Sequence, residues 1–67
     1  MKQNVGKIVG VALDFIRQAG YEYFKIDKIV QDPQGARWIV TINVGIIGPE
    51  LKEVIVDDTT GEVVSFQ

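Results

Sequence analysis

Hydrophobic positions recur at helical spacing near the start of the chain. Between residues 5 and 19 they recur at positions i, i+3, i+4 and i+7, the spacing of one face of an α-helix. They are Val5, Ile8, Val9, Ala12, Phe15, Ile16 and Ala19. Asn4 precedes this run as a candidate N-cap, and Gly20 follows it as a candidate C-terminal glycine. The pattern therefore predicts a helix over residues 5–19.

From residue 23 onward the hydrophobic positions alternate with polar ones, as they do in β-strands. We expect strands at residues 23–31, 37–44, 51–56 and 63–66. The alternation slips at Ile29-Val30, which indicates either a bulge or a strand end that is apolar on both faces. Turns are predicted at Asp32–Gly35 and at Asp57–Glu62, and residues 45–50 form a bend or connection.

The order of these elements predicts the fold class. One helix is followed by three or four strands with short connections, and strands joined in this way pair antiparallel. The helix must then cover one face of the sheet. We expect a single α+β domain over residues 1–67, with an N-terminal helix packed on an antiparallel meander of three to four strands.

The composition argues against an enzyme. The chain has no cysteine and no histidine, so the usual nucleophilic thiol and the usual general base are both missing. Ser65 has no base near it in the sequence, and the spacing of the carboxylates does not indicate a catalytic pair. We therefore expect no catalytic residues and no cofactor.

The acidic stretch Asp57–Glu62 has two interpretations. As a calcium loop it fails, because the spacing from Asp57 puts Gly61 where an oxygen ligand is needed and leaves no glutamate at position 12. As a hairpin turn it explains more residues, since Asp57 and Asp58 can accept turn N–H groups and Gly61 can adopt a positive φ. We expect a turn and no metal site.

Net charge and hydropathy limit the partners and the compartment. A formal net charge of −2 gives no general attraction to nucleic acid, so we expect no nucleic-acid partner. The longest mostly apolar stretch, Ile8–Ile16, is too short for a membrane span, which needs about 20 residues. It also lacks the cleavage site of a signal peptide. We therefore expect no membrane association and a cytoplasmic location.

The last strands resemble the closing hairpin of PepSY-type modules. In those domains a helix packs on an antiparallel sheet, and a late strand ends in an aspartate that precedes a TGE-like turn. The matching residues here are Val56, Asp57, Thr60, Gly61, Glu62 and Val63. The resemblance implies a PepSY-like fold within the broader cystatin-like class. It also implies a role in inhibiting or regulating peptidases, often outside the cell, and it brings no catalytic residues.

A weaker likeness is to the O-type gas vesicle accessory protein. That family also has a helix, a strand, a turn that leads to a tryptophan strand, and a strand that runs into an acidic turn. The residues that carry this likeness are Gly35, Trp38, Val40, Leu51 and Asp57–Glu62. Like the first resemblance, it brings no catalytic residues.

The chain is therefore interpreted as a non-enzymatic interaction module. The chain is short for a core that is stable on its own, and its apolar content of 46% suits self-association. We expect a homodimer first, and another protein as a second kind of partner. The expected interface lies on the outer sheet face and in the bend, at Ile39, Thr41, Ile46 and Ile47. Gly6 and Gly10 offer another surface for a helix, although two tolerated glycines are the favoured explanation.

The alternative function is a small-ligand carrier. Its pocket would lie between the helix and the sheet, near Phe15, Trp38 and Val40. Trp38, like Tyr21 and Tyr23, more often closes the edge of a small core.

Overall fold

One helix and four strands follow each other along the chain. The computed structural model describes residues 4–32 and 34–67. Helix α1 (Val5–Gln18) precedes strands β1 (Lys25–Gln31), β2 (Arg37–Asn43), β3 (Leu51–Asp57) and β4 (Val63–Phe66). The strands form one sheet in the order β1-β2-β3-β4, and each neighbouring pair is antiparallel. The predicted α+β fold, with an N-terminal helix on a meander sheet, is confirmed with four strands.

Both ends of α1 are capped by the residues that the sequence nominated. The Lys7 backbone N–H donates to Asn4 Oδ1 at 2.8 Å, which satisfies one free donor at the helix start. At the other end, Gly20 has φ +99°, and the N–H groups of Gly20 and Tyr21 donate to the carbonyls of Arg17 and Ile16. This pair of bonds is a Schellman motif, so the helix ends at Gln18 and the chain turns toward the sheet.

The core lies between α1 and one face of the sheet. From the helix, Ile8, Ala12 and Ile16 are fully buried at the spacing of one helical face. The facing side chains come from the two central strands, where Val40 pairs with Val54 and Trp38 pairs with Val56. The fully buried sheet residues are Val40, Ile42, Val54 and Val56. The helix therefore seals only one side of the sheet.

Strand β1 contains the predicted irregularity, but at a different residue. Ile26 pairs with Ile42, whereas Lys28 pairs with Thr41, so Asp27 is the extra residue of a bulge. The sequence placed the slip at Ile29-Val30, two residues too late. The bulge reverses the alternation, and for this reason Ile29 packs against the core while Val30 faces the other side.

The turn between β1 and β2 follows the sequence prediction in the residues that are described. The Gly35 N–H donates to the Asp32 carbonyl at 2.7 Å, and Gly35 has φ +76°. The Gln34 N–H donates to Asp32 Oδ1, an Asx turn. Pro33, which was expected to preset this turn, lies outside the described residues.

Candidate interaction surface

The side of the sheet opposite α1 carries a row of aliphatic side chains. We call this side the outer face. Val30, Ile39 and Ile55 lie next to one another across β1, β2 and β3, and Ser65 of β4 continues the row. None of the three aliphatic residues belongs to the core cluster; Val30 is 45% exposed, and Ile39 and Ile55 are half-buried. The outer face therefore presents a continuous apolar row to its surroundings.

Thr41 occupies the next row of the outer face. Its cross-strand neighbours are Lys28 on β1 and Glu53 on β3. The residue is only 3% exposed, and its Oγ1 is buried without a hydrogen-bond partner among the residues that the structure describes. A buried hydroxyl without a partner lowers the free energy of unfolding, because its hydration is not replaced.

The charges of the outer face are divided between its two sides. Lys25 and Lys28 lie on β1 and Arg37 lies on β2, while Glu53 and Asp57 lie on β3. Arg37 and Asp57 are cross-strand neighbours. Asp27, the exposed bulge residue, and Asp32, which follows β1 beside Arg37, offset two of these three cations, so the β1–β2 side is only weakly basic, whereas the β3 side of the outer face is acidic.

The two isoleucines of the bend are the most exposed apolar residues described. Ile46 is 78% exposed and Ile47 is 102% exposed. Asn43 holds the loop that bears them, since its Oδ1 accepts from the N–H groups of Gly45 at 3.0 Å and Glu50 at 3.1 Å. The Val44 N–H also donates to the Glu50 carbonyl at 2.9 Å. The isoleucines thus project from a hydrogen-bonded loop.

The four residues expected at an interface occupy two places. Ile39 and Thr41 lie in adjacent rows of the outer face, whereas Ile46 and Ile47 lie in the loop beyond its Asn43–Leu51 end. Their role in binding stays a prediction. Val30 and Ile55 were missed as members of the surface. Ile55 could have been inferred from the alternation of β3, but Val30 faces outward only because of the bulge at Asp27.

The acidic stretch forms a hairpin turn, as predicted. Asp57 Oδ1 accepts from the N–H groups of Thr59 at 2.7 Å and Thr60 at 2.9 Å, and Gly61 has φ +75°. The bond from Thr60 is the main cause that lowers the pKa of Asp57 from its ordinary value of 3.8. The bond from Thr59 comes second, and nearby Arg37 adds a smaller effect. Within residues 4–32 and 34–67, no three acidic side chains come together as a metal site would require.

Asp58 accepts a bond from β2, which the sequence did not predict. Its carboxylate is 2% exposed, and Oδ1 accepts from the Trp38 indole N–H at 2.8 Å. Its own backbone N–H donates to the Ala36 carbonyl at 2.9 Å. Asp58 thus connects the β3–β4 turn to β2.

The residues proposed for a ligand pocket lie in packed surroundings. The Phe15 ring meets the Phe66 ring edge-on, with 5.2 Å between the ring centroids, and Val40 is fully buried in the core. Trp38 packs against the same core and is bonded to Asp58. No pocket is found in the described part of the chain. The carrier function stays a prediction, and it would require these side chains to move apart.

Comparison with known proteins yields no relative. No family model, no curated protein and no solved structure matches the chain. The resemblances to PepSY-type modules and to the O-type gas vesicle accessory protein therefore depend on the motif residues alone and stay predictions. In residues 4–32 and 34–67, no helix has the length and hydrophobicity needed to cross a membrane.

Proposed function

We propose that this protein is a non-enzymatic interaction module that associates with a second copy of itself through the outer face. The observation that carries the proposal is the row of Val30, Ile39 and Ile55 on the side of the sheet that no helix covers. Burying such a row against a partner is favourable by about 25 cal/mol per Å² of apolar surface.

The size of the domain supports a partner on this face. A chain of about 60 residues buries only about 60% of the surface that its unfolded form exposes. Association adds buried apolar surface and stabilises the folded state by mass action. The regulatory role that the PepSY resemblance implies is compatible with a module that binds rather than catalyses.

The expected affinity is modest. Strands about 4.8 Å apart, with a rise of about 3.3 Å per residue, give the four-stranded outer face a footprint of roughly 450 Å². Standard stable interfaces bury about 800 Å² per partner. We therefore expect a dimer with a dissociation constant in the micromolar range.

A single lysine on the outer face tests the proposal. Ile39→Lys places a charge in the middle of the apolar row, so we expect it to abolish association measured by sedimentation equilibrium. Val5→Lys is the control for adding a lysine, because Val5 is exposed and lies at the start of α1, away from the outer face. Trp38 fluorescence verifies that both variants are folded. If Ile39→Lys associates as strongly as Val5→Lys and the parent, the outer face is not the interface.

A second variant tests the loop. Ile47→Lys removes an exposed isoleucine without touching the outer face. If the loop contributes to the same contact, this variant also weakens association. If Ile47→Lys associates like the parent, the loop is not part of the interface.

A further inference from the structure

The charges of the outer face restrict how two copies can be oriented. A symmetric dimer uses the same surface patch on both copies. Two sheets that stack face to face in an aligned packing keep their strands within about 30° of each other. The two-fold axis must then lie between the sheets and run either along the strands or across them.

The two axes bring different strands together. An axis along the strands exchanges the two edges of the sheet, so β2 of one copy lies over β3 of the other. An axis across the strands leaves every strand over its own equivalent. The first arrangement therefore places the weakly basic β1–β2 side on the acidic β3, whereas the second places the acidic β3 of one copy on the acidic β3 of the other.

We propose that the two copies stack outer face on outer face about a two-fold axis parallel to the strands. This inference rests on the proposed function and specifies its geometry. Ile39 of one copy then packs near Ile55 of the other, and Arg37 lies near the second copy's Asp57. Lys28 lies on the β1 side, within reach of the row that contains Glu53 of the second copy. Opposite charges then meet at both ends of the apolar row.

Within one chain, Lys28 and Glu53 already lie on either side of Thr41, and Arg37 and Asp57 are cross-strand neighbours. An orientation test must therefore separate attraction between copies from attraction within a copy. Two single charge reversals, studied alone and mixed, make this separation. Lys28→Glu and Glu53→Lys are suitable, because both side chains are exposed and neither belongs to the core.

Each orientation predicts its own pattern of affinities. With the axis along the strands, each reversal alone replaces attraction by repulsion at two symmetric places and weakens dimerisation about tenfold. An equimolar mixture regains the parent affinity through a heterodimer in which opposite charges meet again. With the axis across the strands, which reverses the strand direction, Glu53 lies over the second copy's Asp57, so Glu53→Lys alone strengthens association.

Control variants remove the effect of net charge. Lys28→Glu changes the formal net charge from −2 to −4, and Glu53→Lys changes it from −2 to 0. Arg17→Glu and Asp14→Lys produce the same changes on the exposed side of α1, where the two residues form an exposed ion pair. We expect these controls to associate like the parent, alone and mixed.

The outcomes distinguish this inference from the function on which it rests. The inference is supported if both outer-face reversals weaken association, their mixture restores it and the helix controls have no effect. It is overturned if the parent dimerises through Ile39 but the reversals show the second pattern or no change, and the proposed function then stands. A parent that stays monomeric contradicts both.

Discussion

At the scale of single residues, the bond between Trp38 and Asp58 fixes the β3–β4 turn to β2. The indole N–H is a donor that needs a partner when it is removed from water, and the Asp58 carboxylate supplies one at 2.8 Å. This bond cannot be predicted from the sequence, because the two residues are 20 positions apart and Asp58 lies in a stretch with the composition of a turn. Only the pairing of β2 with β3 brings them together.

Removing this acceptor should destabilise the fold. We expect Asp58→Ala to lower the free energy of unfolding by about 2 kcal/mol, because it leaves the partly buried Trp38 indole N–H without this partner. Asp58→Asn keeps an oxygen acceptor and should lose less. Urea denaturation at low protein concentration, followed by Trp38 fluorescence, measures both variants. Equal stability of Asp58→Ala and the parent would show that the bond contributes nothing.

Asp57 has a different role from its neighbour. Its carboxylate accepts two backbone N–H groups of the turn, and these bonds favour the ionised form. The pKa of Asp57 in the folded state is therefore below its ordinary value of 3.8. The ionised group stabilises the fold above that ordinary value, and the contribution is lost as the pH falls through the folded-state pKa.

The substitution Asp57→Asn should remove this part of the pH dependence. The parent should be more stable than the variant at neutral pH, and the difference should shrink as the pH falls below about 4. Denaturation of both proteins at a series of pH values between about 2 and 7 provides the comparison. A difference in stability that stays constant over this range would contradict the assignment to Asp57.

At the scale of elements, the sequence predicted the helix and strands whose position is determined by local sequence patterns. The helix was expected over residues 5–19 and is observed over Val5–Gln18, because its apolar face and both caps are local signals. Strand β4 is observed at Val63–Phe66, as expected. The bulge was misplaced, since the identity of the extra residue depends on the register between β1 and β2, and register is not a local property.

The β2–β3 loop illustrates the same limit. Glycine and proline predicted a bend, but the bonds from Gly45 and Glu50 to Asn43 became evident only in the structure. A Cβ at position 45 would lie 1.8 Å from the Gly48 carbonyl oxygen and 2.8 Å from the Glu50 nitrogen. Gly45 is therefore required by the close approach of the backbone, not by a positive φ.

The two glycines of this loop form a matched pair of substitutions. We expect Gly45→Ala to lower the free energy of unfolding by about 2–4 kcal/mol, because backbone atoms must move to admit the methyl group. At Gly48 an added Cβ meets nothing within 4 Å, so Gly48→Ala should change stability by less than about 0.5 kcal/mol. Thermal or urea denaturation measures both. Equal effects of the two substitutions would contradict this description of the loop.

At the scale of the whole molecule, the main feature is a sheet that is covered on one side only. The sequence predicted one helix for one sheet face, and it correctly identified Ile39 as an apolar residue that is hard to place in the core. It did not predict that Thr41 would be almost fully buried on the outer face. Phe15, Trp38 and Val40, expected to line a pocket in the carrier hypothesis, instead pack in or against the core.

This asymmetry connects the stability of the fold to its proposed function. A chain that leaves the Val30–Ile39–Ile55 row uncovered retains apolar surface that a second copy can bury. If the dimer is the folded form that prevails at high concentration, the midpoint of thermal unfolding must rise with protein concentration. Self-association is then part of what stabilises the folded chain.

The most direct test of the central claim is the solution mass of the unmodified protein across a concentration series. Light scattering at roughly 1–200 µM covers the expected range of dissociation constants. We expect the average mass to rise from one chain to two chains and then to stay at two, as a closed two-fold dimer requires. A mass of one chain throughout the series would contradict self-association, and a mass that keeps growing beyond two chains would contradict the closed dimer.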